Sequence, residues 1–234
     1  MGHDVTGVGR WIGRGKGDSF HGRKLFVVGR IIAGPADLAE GAAWLAHIEP
    51  RFGHALALTG ALPLRLRPDG FAALTDAIIS QQVSVASANA IRARMVAAGF
   101  DQRPAVALAT EEALRGAGLS RQKARYIHAL AHSGVEFEAL RTLPDEAVVA
   151  TLVEVPGIGR WTAEIYAMFA LGRADVFAPG DLALQEAARM LFGLQARPSE
   201  KVLRVMAEDW SPWRAVAARC LFAYYHVQKS REGI

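Results

Sequence analysis

The chemistry-bearing residues of this chain concentrate in one stretch, "VEVPGIGRWTAEIYAMFALGRADVFAPGD", running from Val153 to Asp181. Its apolar helical segments are broken twice, at Pro156-Gly157-Ile158-Gly159 and at Ala178-Pro179-Gly180-Asp181. A turn as tight as the first needs residues that tolerate φ > 0, which explains two glycines around one apolar residue. It also leaves the N–H groups of Gly157 and Gly159 bare at the start of the next helix, where a phosphate oxygen can approach them. A plain turn between two helices uses the same residues, so both readings stand. In the second break, Asp181 precedes "LALQEAARM" and makes a good N-cap.

The elements around these breaks read as helices. "PADLAEGAAWLAHI" (35–48), "GFAALTDAIISQQVSVASANAIRARMVAAG" (70–99), "RQKARYIHALAHSG" (121–134), "PDEAVVATLVEV" (144–155) and "RWTAEIYAMFALG" (160–172) repeat apolar residues at three- and four-residue spacing. The segments 182–193, 199–209 and 213–227 do the same. Ser120 marks one helix start, Pro144-Asp145-Glu146 another, and Gly193 a stop. "LPLRLR" (62–67) alternates but is too short to build a sheet. The expected fold is all-α.

At 234 residues and 51% hydrophobic content, the chain can build a real core. No apolar run reaches the ~18 residues of a membrane span, and the N-terminus lacks the apolar region of a secretory signal, so a cytoplasmic location is expected. Cys220 is the only cysteine, which excludes an intramolecular disulfide, a four-cysteine zinc site and a cysteine-held iron–sulfur cluster. Arg10, Arg14, Lys16, Arg23, Lys24 and Arg30, against Asp4 and Asp18, account for the whole net charge of +4. Residues 1–33 therefore read as a basic, Gly-rich arm, expected to be disordered, and 34–234 as one domain with a neutral body. The body's charge alone says little about a nucleic-acid partner. Arg121, Lys123 and Arg125 read as a solvated helix face. Arg214 reads as structural, and Tyr166, Trp213, Tyr224 and Tyr225 as core or surface. The histidines show no convincing metal-ligand spacing, although His128 and His132 share a helix face.

"LVEVPGIGRWTA" resembles the helix-hairpin-helix element, and Asp181 stands where the DNA glycosylases of the helix-hairpin-helix-GPD superfamily carry their catalytic carboxylate. "GFAALTDAIISQQVSVASANAI" (70–91) resembles that family's minor-groove-probing helix-loop, "LRGAGLSRQKARYIHALA" (114–131) its inter-lobe segment, and "WSPWRAVAARCLFAYY" (210–225) its closing helix. In this order, over residues 35–228, the combined pattern is specific where each piece is not. The branch it most resembles is the alkylation-repair one, 3-methyladenine DNA glycosylase II, whose usual N-terminal β-rich domain is missing here. The resemblance implies a two-lobed helical bundle with the active-site cleft between the lobes, acting as a monomer on double-stranded DNA containing damaged bases. The expected activity is base excision repair of 3-methyladenine- or 7-methylguanine-type bases in a bacterial nucleoid.

In backbone-cutting relatives a lysine nucleophile stands immediately before the Thr-Ala after the hairpin; this chain has Trp161 there, so a monofunctional glycosylase is expected. Asp181 would stabilise the developing positive charge on the deoxyribose and position water, with no cofactor for catalysis. Trp161, Phe222 and Ile165 would line the base pocket, with Ile165 standing where a tyrosine is expected; aromatic faces favour a cationic methylated base. Gln82 would be the wedge that fills the space left by the flipped base, and Gln81 would touch neighbouring bases or backbone. Gly157, Ile158, Gly159, Arg160 and Thr162 would meet DNA at the hairpin. Backbone carbonyls of Val153, Val155 and Ile158 would hold a monovalent cation. Residue by residue, alternatives remain: Asp181 as a cap only, Trp161 as packing at a helix start, and Gln81-Gln82 as solvated residues at a helix end. The competing function is a non-catalytic DNA-binding module. A glycosylase for another lesion class is the alternative within the enzymes.

Overall fold

A computed structural model describes residues 28–231. The chain begins in one lobe with α1 (Pro35–Ile48) and α2 (Pro50–Thr59), and crosses to the other with α3 (Phe71–Ser80) and α4 (Val85–Ala97). Short helices α5 (Arg103–Leu108) and α6 (Glu111–Gly116) follow, then α7 (Arg121–His132) and α8 (Phe137–Leu140). It returns through α9 (Asp145–Val153), α10 (Arg160–Phe169), α11 (Leu182–Phe192), α12 (Glu200–Met206), a 3₁₀ turn and α13 (Arg214–Arg231). In one lobe α3, α5 and α6 pack on α7; in the other α1, α2 and α11 pack on α13, and α10 reaches both α9 and α3. The all-α, two-lobed expectation is met. Among the described residues, the only β pairing is an isolated bridge between Ile31 and Arg173.

The punctuation read from sequence does its expected work. Ser120 Oγ accepts from Lys123 N at 3.2 Å, Asp145 and Glu146 occupy the first turn of α9, and Gly193 closes α11 in the left-handed region. Four helices escaped the periodicity: α5, α6 and α8 have too few turns for a period to register, while α2, ten residues long, opens on a proline in its first turn. The segment 70–99 is not one helix. Ser84 accepts from Ser87 N at 3.2 Å and starts α4 afresh, so the backbone breaks between Ser80 and Val85 although apolar spacing continues across the gap.

The arm's expected boundary at residue 33 falls inside packed structure. Ile32 is wholly buried and its N–H donates to Gly172 O at 2.7 Å, while Ala174 N–H donates to Arg30 O at 2.9 Å. The apolar pair Ile31-Ile32 therefore belongs to the body; residues 1–27, where the rest of the expected arm lies, are outside the described residues. "LPLRLR" forms no strand: it is irregular backbone between the lobes, with Arg65 left-handed at φ +52°. Arg67 N–H donates to Phe169 O at 2.9 Å, and the buried guanidinium of Arg219 donates to the carbonyls of Leu64, Ala215 and Met168. A buried arginine with three carbonyl partners ties this connection to α10 and α13.

Candidate active site and DNA-facing loops

Asp181 is delivered by a loop anchored along its whole length. Asp175 receives both Nε and Nη2 of Arg214 at 2.8 and 2.9 Å and the Ser211 hydroxyl at 2.7 Å. Phe177 is buried edge-on against Trp210, and Gln185 Nε2 donates to Pro179 O at 2.8 Å. Asp181 then caps α11: its Oδ1 accepts from Ala183 N at 2.9 Å and Leu184 N at 3.2 Å. The other carboxylate oxygen, Oδ2, accepts from Trp161 Nε1 at 3.0 Å, across the gap between the starts of α11 and α10. The cap and the tryptophan together fix the carboxylate, and the structure brings Trp161 and Asp181 into direct contact. Trp161 keeps 44% of its surface exposed, so its ring is open to a ligand rather than packed away.

Ile165 and Phe169 follow Trp161 at four-residue steps on α10, so the three share one face. Ile165 is half-buried, and the Phe169 ring lies 6.4 Å from that of Phe222, with the Arg219 guanidinium 4.6 Å from its centroid. Trp161, Ile165 and Phe169 thus stand along one face of α10, and Phe222 of α13 meets that face at Phe169, which the sequence reading did not single out. The four-residue spacing from Trp161 was the available signal for it. Tyr166 is buried, as expected; its hydroxyl accepts from Gly70 N at 2.9 Å, and burial pushes its pKa up to about 12. Burial likewise pushes the Cys220 thiol up to about 12, leaving it protonated and inert.

At the hairpin the two glycines differ. Gly157 has φ +90°, and a Cβ there would lie 2.2 Å from the Tyr126 ring, so glycine is required twice over. Gly159 has an ordinary φ of −78°, and a Cβ on it would meet nothing within 4 Å. The sequence reading that both glycines supply positive φ is corrected: Gly159 caps α10 without a side-chain bond and opens its first N–H groups to an approaching group. Two residues expected at the DNA turn inward: Ile158 is 3% and Thr162 4% exposed, because the hairpin needs an apolar pin and α10 a packed inner face, and the Ile158 N–H already donates to Val155 O at 3.0 Å. The exposed Arg160 is bonded through Nε to the buried Glu164 at 2.9 Å, and Arg204 joins the same carboxylate at 3.0 Å. Burial raises the Glu164 pKa, opposed by these two guanidinium groups.

Gln82 is exposed and left-handed, at φ +55°. Gln81 is half-buried, and its Nε2 donates to Gly157 O at 3.2 Å, which links this loop to the hairpin backbone. Lys123, read from sequence as solvated, donates through Nζ to Ile79 O at 2.7 Å and Gln81 O at 2.6 Å. For the expected cation, backbone carbonyls are suitable hard donors. Val155 O accepts from Ile158 N at 3.0 Å and retains a second lone pair. Among the described residues, no group of three or more His, Cys, Asp or Glu side chains is arranged to hold a metal, and no helix is long and apolar enough to cross a membrane.

The candidate site therefore brings together a fixed carboxylate, an exposed indole, a bare helix start and an exposed loop. The family model described as HhH-GPD superfamily base excision DNA repair protein matches residues 75–213, and the chain belongs to that family. Over 164 residues it is 32% identical to DNA-3-methyladenine glycosylase 2 of Escherichia coli, covering 64% of this chain and 55% of that protein. The solved DNA-3-methyladenine glycosidase of Bacillus halodurans superposes with a TM-score of 0.72 at 30% identity, over 87% of this chain and 94% of that one. A Schizosaccharomyces pombe 3-methyladenine DNA glycosylase in complex with abasic DNA gives 0.68 at 26%, over 82% and 97%. The chain thus spans little more than half the length of the E. coli relative it matches.

Proposed function

We propose that this protein is a monofunctional DNA glycosylase that flips alkylated bases of the 3-methyladenine and 7-methylguanine type out of duplex DNA and hydrolyses their N-glycosidic bond. The observation that carries the reading is the Asp181 carboxylate, held at Oδ1 by two backbone N–H groups and at Oδ2 by Trp161 Nε1. As the C1′–N bond breaks, its electron pair leaves with the base; an alkylated purine already carries positive charge and needs no strong general acid. The fixed carboxylate stabilises the positive charge appearing on the sugar and orients the water that adds to C1′, whose proton passes to the carboxylate and on to solvent. The exposed Trp161 face receives the flipped cationic base, with stacking and cation–π attraction contributing about 1 to 3 kcal/mol.

The hairpin backbone binds phosphate, and Gln82 occupies the vacated stack. Carbonyls of Val153, Val155 and Ile158 would hold a monovalent cation that neutralises charge beneath that phosphate. Trp161 stands where a lyase lysine would be, so borohydride traps no covalent adduct. The protein acts as a monomer in the cytoplasm.

Asp181 is also a true N-cap, which keeps the non-catalytic DNA-binding module as a second reading. D181N separates the two, because asparagine caps a helix about as well as aspartate. Melting temperature is expected to stay nearly constant, while release of 7-methylguanine from a duplex falls by about 10²-fold or more. No release by the wild type, or equal release by both proteins, overturns the catalytic reading.

A further inference from the structure

We propose that Lys123 is a positioning residue for base extrusion, holding the Gln81-Gln82 loop in the conformation that enters DNA; this rests on the glycosylase reading above. Helix α3 ends at Ser80, and its last carbonyls point into the loop with the negative end of the helix dipole. Lys123 Nζ, from the first turn of α7, lies on two of the carbonyls there, Ile79 O and Gln81 O. These bonds flank Ser80 and fix the backbone immediately before Gln82, which takes the left-handed φ of +55°. A non-glycine residue keeps such a conformation only where its surroundings impose it.

The same helix also fixes the other DNA-facing loop. Tyr126, one turn beyond Lys123, packs its ring against Gly157, and Gln122 Nε2 donates to the Tyr126 hydroxyl at 2.6 Å. Gln81 Nε2 closes the circuit onto Gly157 O. Helix α7 thereby holds the wedge and the phosphate-binding hairpin in one fixed relation, so that backbone grip and base extrusion act at a set distance. Partial burial lowers the Lys123 pKa, in keeping with an ammonium spent on protein carbonyls rather than on solvent.

The test compares wild type, K123M and K123R on a 7-methylguanine lesion in a fully paired duplex and in an unpaired bubble. A 2-aminopurine beside the lesion reports extrusion by fluorescence, read in the D181N background so that it is independent of excision. K123M is expected to lose about 10- to 100-fold in single-turnover excision and in extrusion on the paired duplex, and less than about 3-fold in the bubble, where no stack has to be opened. K123R, whose guanidinium can bond both carbonyls, is expected to restore most of the loss. Wild-type behaviour of K123M on the paired duplex, or an equal loss on both substrates, overturns the proposal. Extrusion without base release by the wild type overturns the glycosylase reading alone, and the fluorescence comparison still decides the role of Lys123.

Discussion

At the scale of single residues, Trp161 and Asp181 define each other. An aspartate in a helix cap is ordinary, and a half-exposed tryptophan at a helix start is a cost in apolar surface left in water. Joined by a 3.0 Å bond, they become a fixed carboxylate with an aromatic platform beside it. The two functions of the indole can be separated. W161F keeps an aromatic face but loses the N–H, and is expected to lower the single-turnover excision rate about 10-fold, the worth of one hydrogen bond to a charged group. Affinity for DNA bearing the lesion should change little in W161F and fall clearly in W161A. A W161F rate equal to that of the wild type would show that the bond to Asp181 contributes nothing to catalysis.

At the scale of elements, the start of α3 is where the lobes are tied. Gly70 N–H bonds the Tyr166 hydroxyl of α10, and Asp69 receives Nε and Nη2 of Arg141 at 2.8 Å each. The Arg141 hydrogen bonds hold the Asp69 carboxyl below its ordinary value of 3.8, against the opposing effect of burial. The carboxylate is therefore favoured in the folded state. The stability it contributes is fully present above pH 3.8 and is lost as the pH falls through the lowered value. Since Arg141 is half-exposed, solvent screens the pair, and D69N is expected to cost about 0.5 to 1 kcal/mol at neutral pH. Denaturant titrations of both proteins should show that gap closing as the solution is acidified below pH 3.8; a gap independent of pH would assign the loss to packing instead.

At the scale of the whole molecule, charge is unevenly placed along the chain. The net +4 is carried by residues 1–33, while the remainder holds 21 basic and 21 acidic residues. Many of those basic groups are committed internally: Arg141, Arg173, Arg204, Arg214 and Arg219 all bond carboxylates or carbonyls of the protein. The proposed grip of the hairpin would use neutral backbone N–H groups, which supply no long-range attraction to DNA. Deleting residues 1–27 is expected to flatten the dependence of log affinity on log salt concentration, while single-turnover excision at saturating enzyme stays nearly unchanged. An unaltered salt slope would mark that segment as a bystander.

The sequence by itself determined the helical class, the Pro-Gly-Ile-Gly turn, the aspartate cap and the tryptophan just after the turn. Each is a local matter of periodicity, turn chemistry or residue type at one position. The break between α3 and α4 was half-legible: Gln81-Gln82 read as a helix end, while the apolar spacing runs on into α4. What only the tertiary structure decided were meetings between distant segments: Trp161 with Asp181, Gln81 with Gly157, Tyr126 beneath the hairpin, and Lys123 on the end of α3. A lysine reads as solvent-facing on any helix wheel. Whether it is solvated or bonded depends on which carbonyls the fold brings within 3 Å of its ammonium, and no local pattern in the chain carries that information.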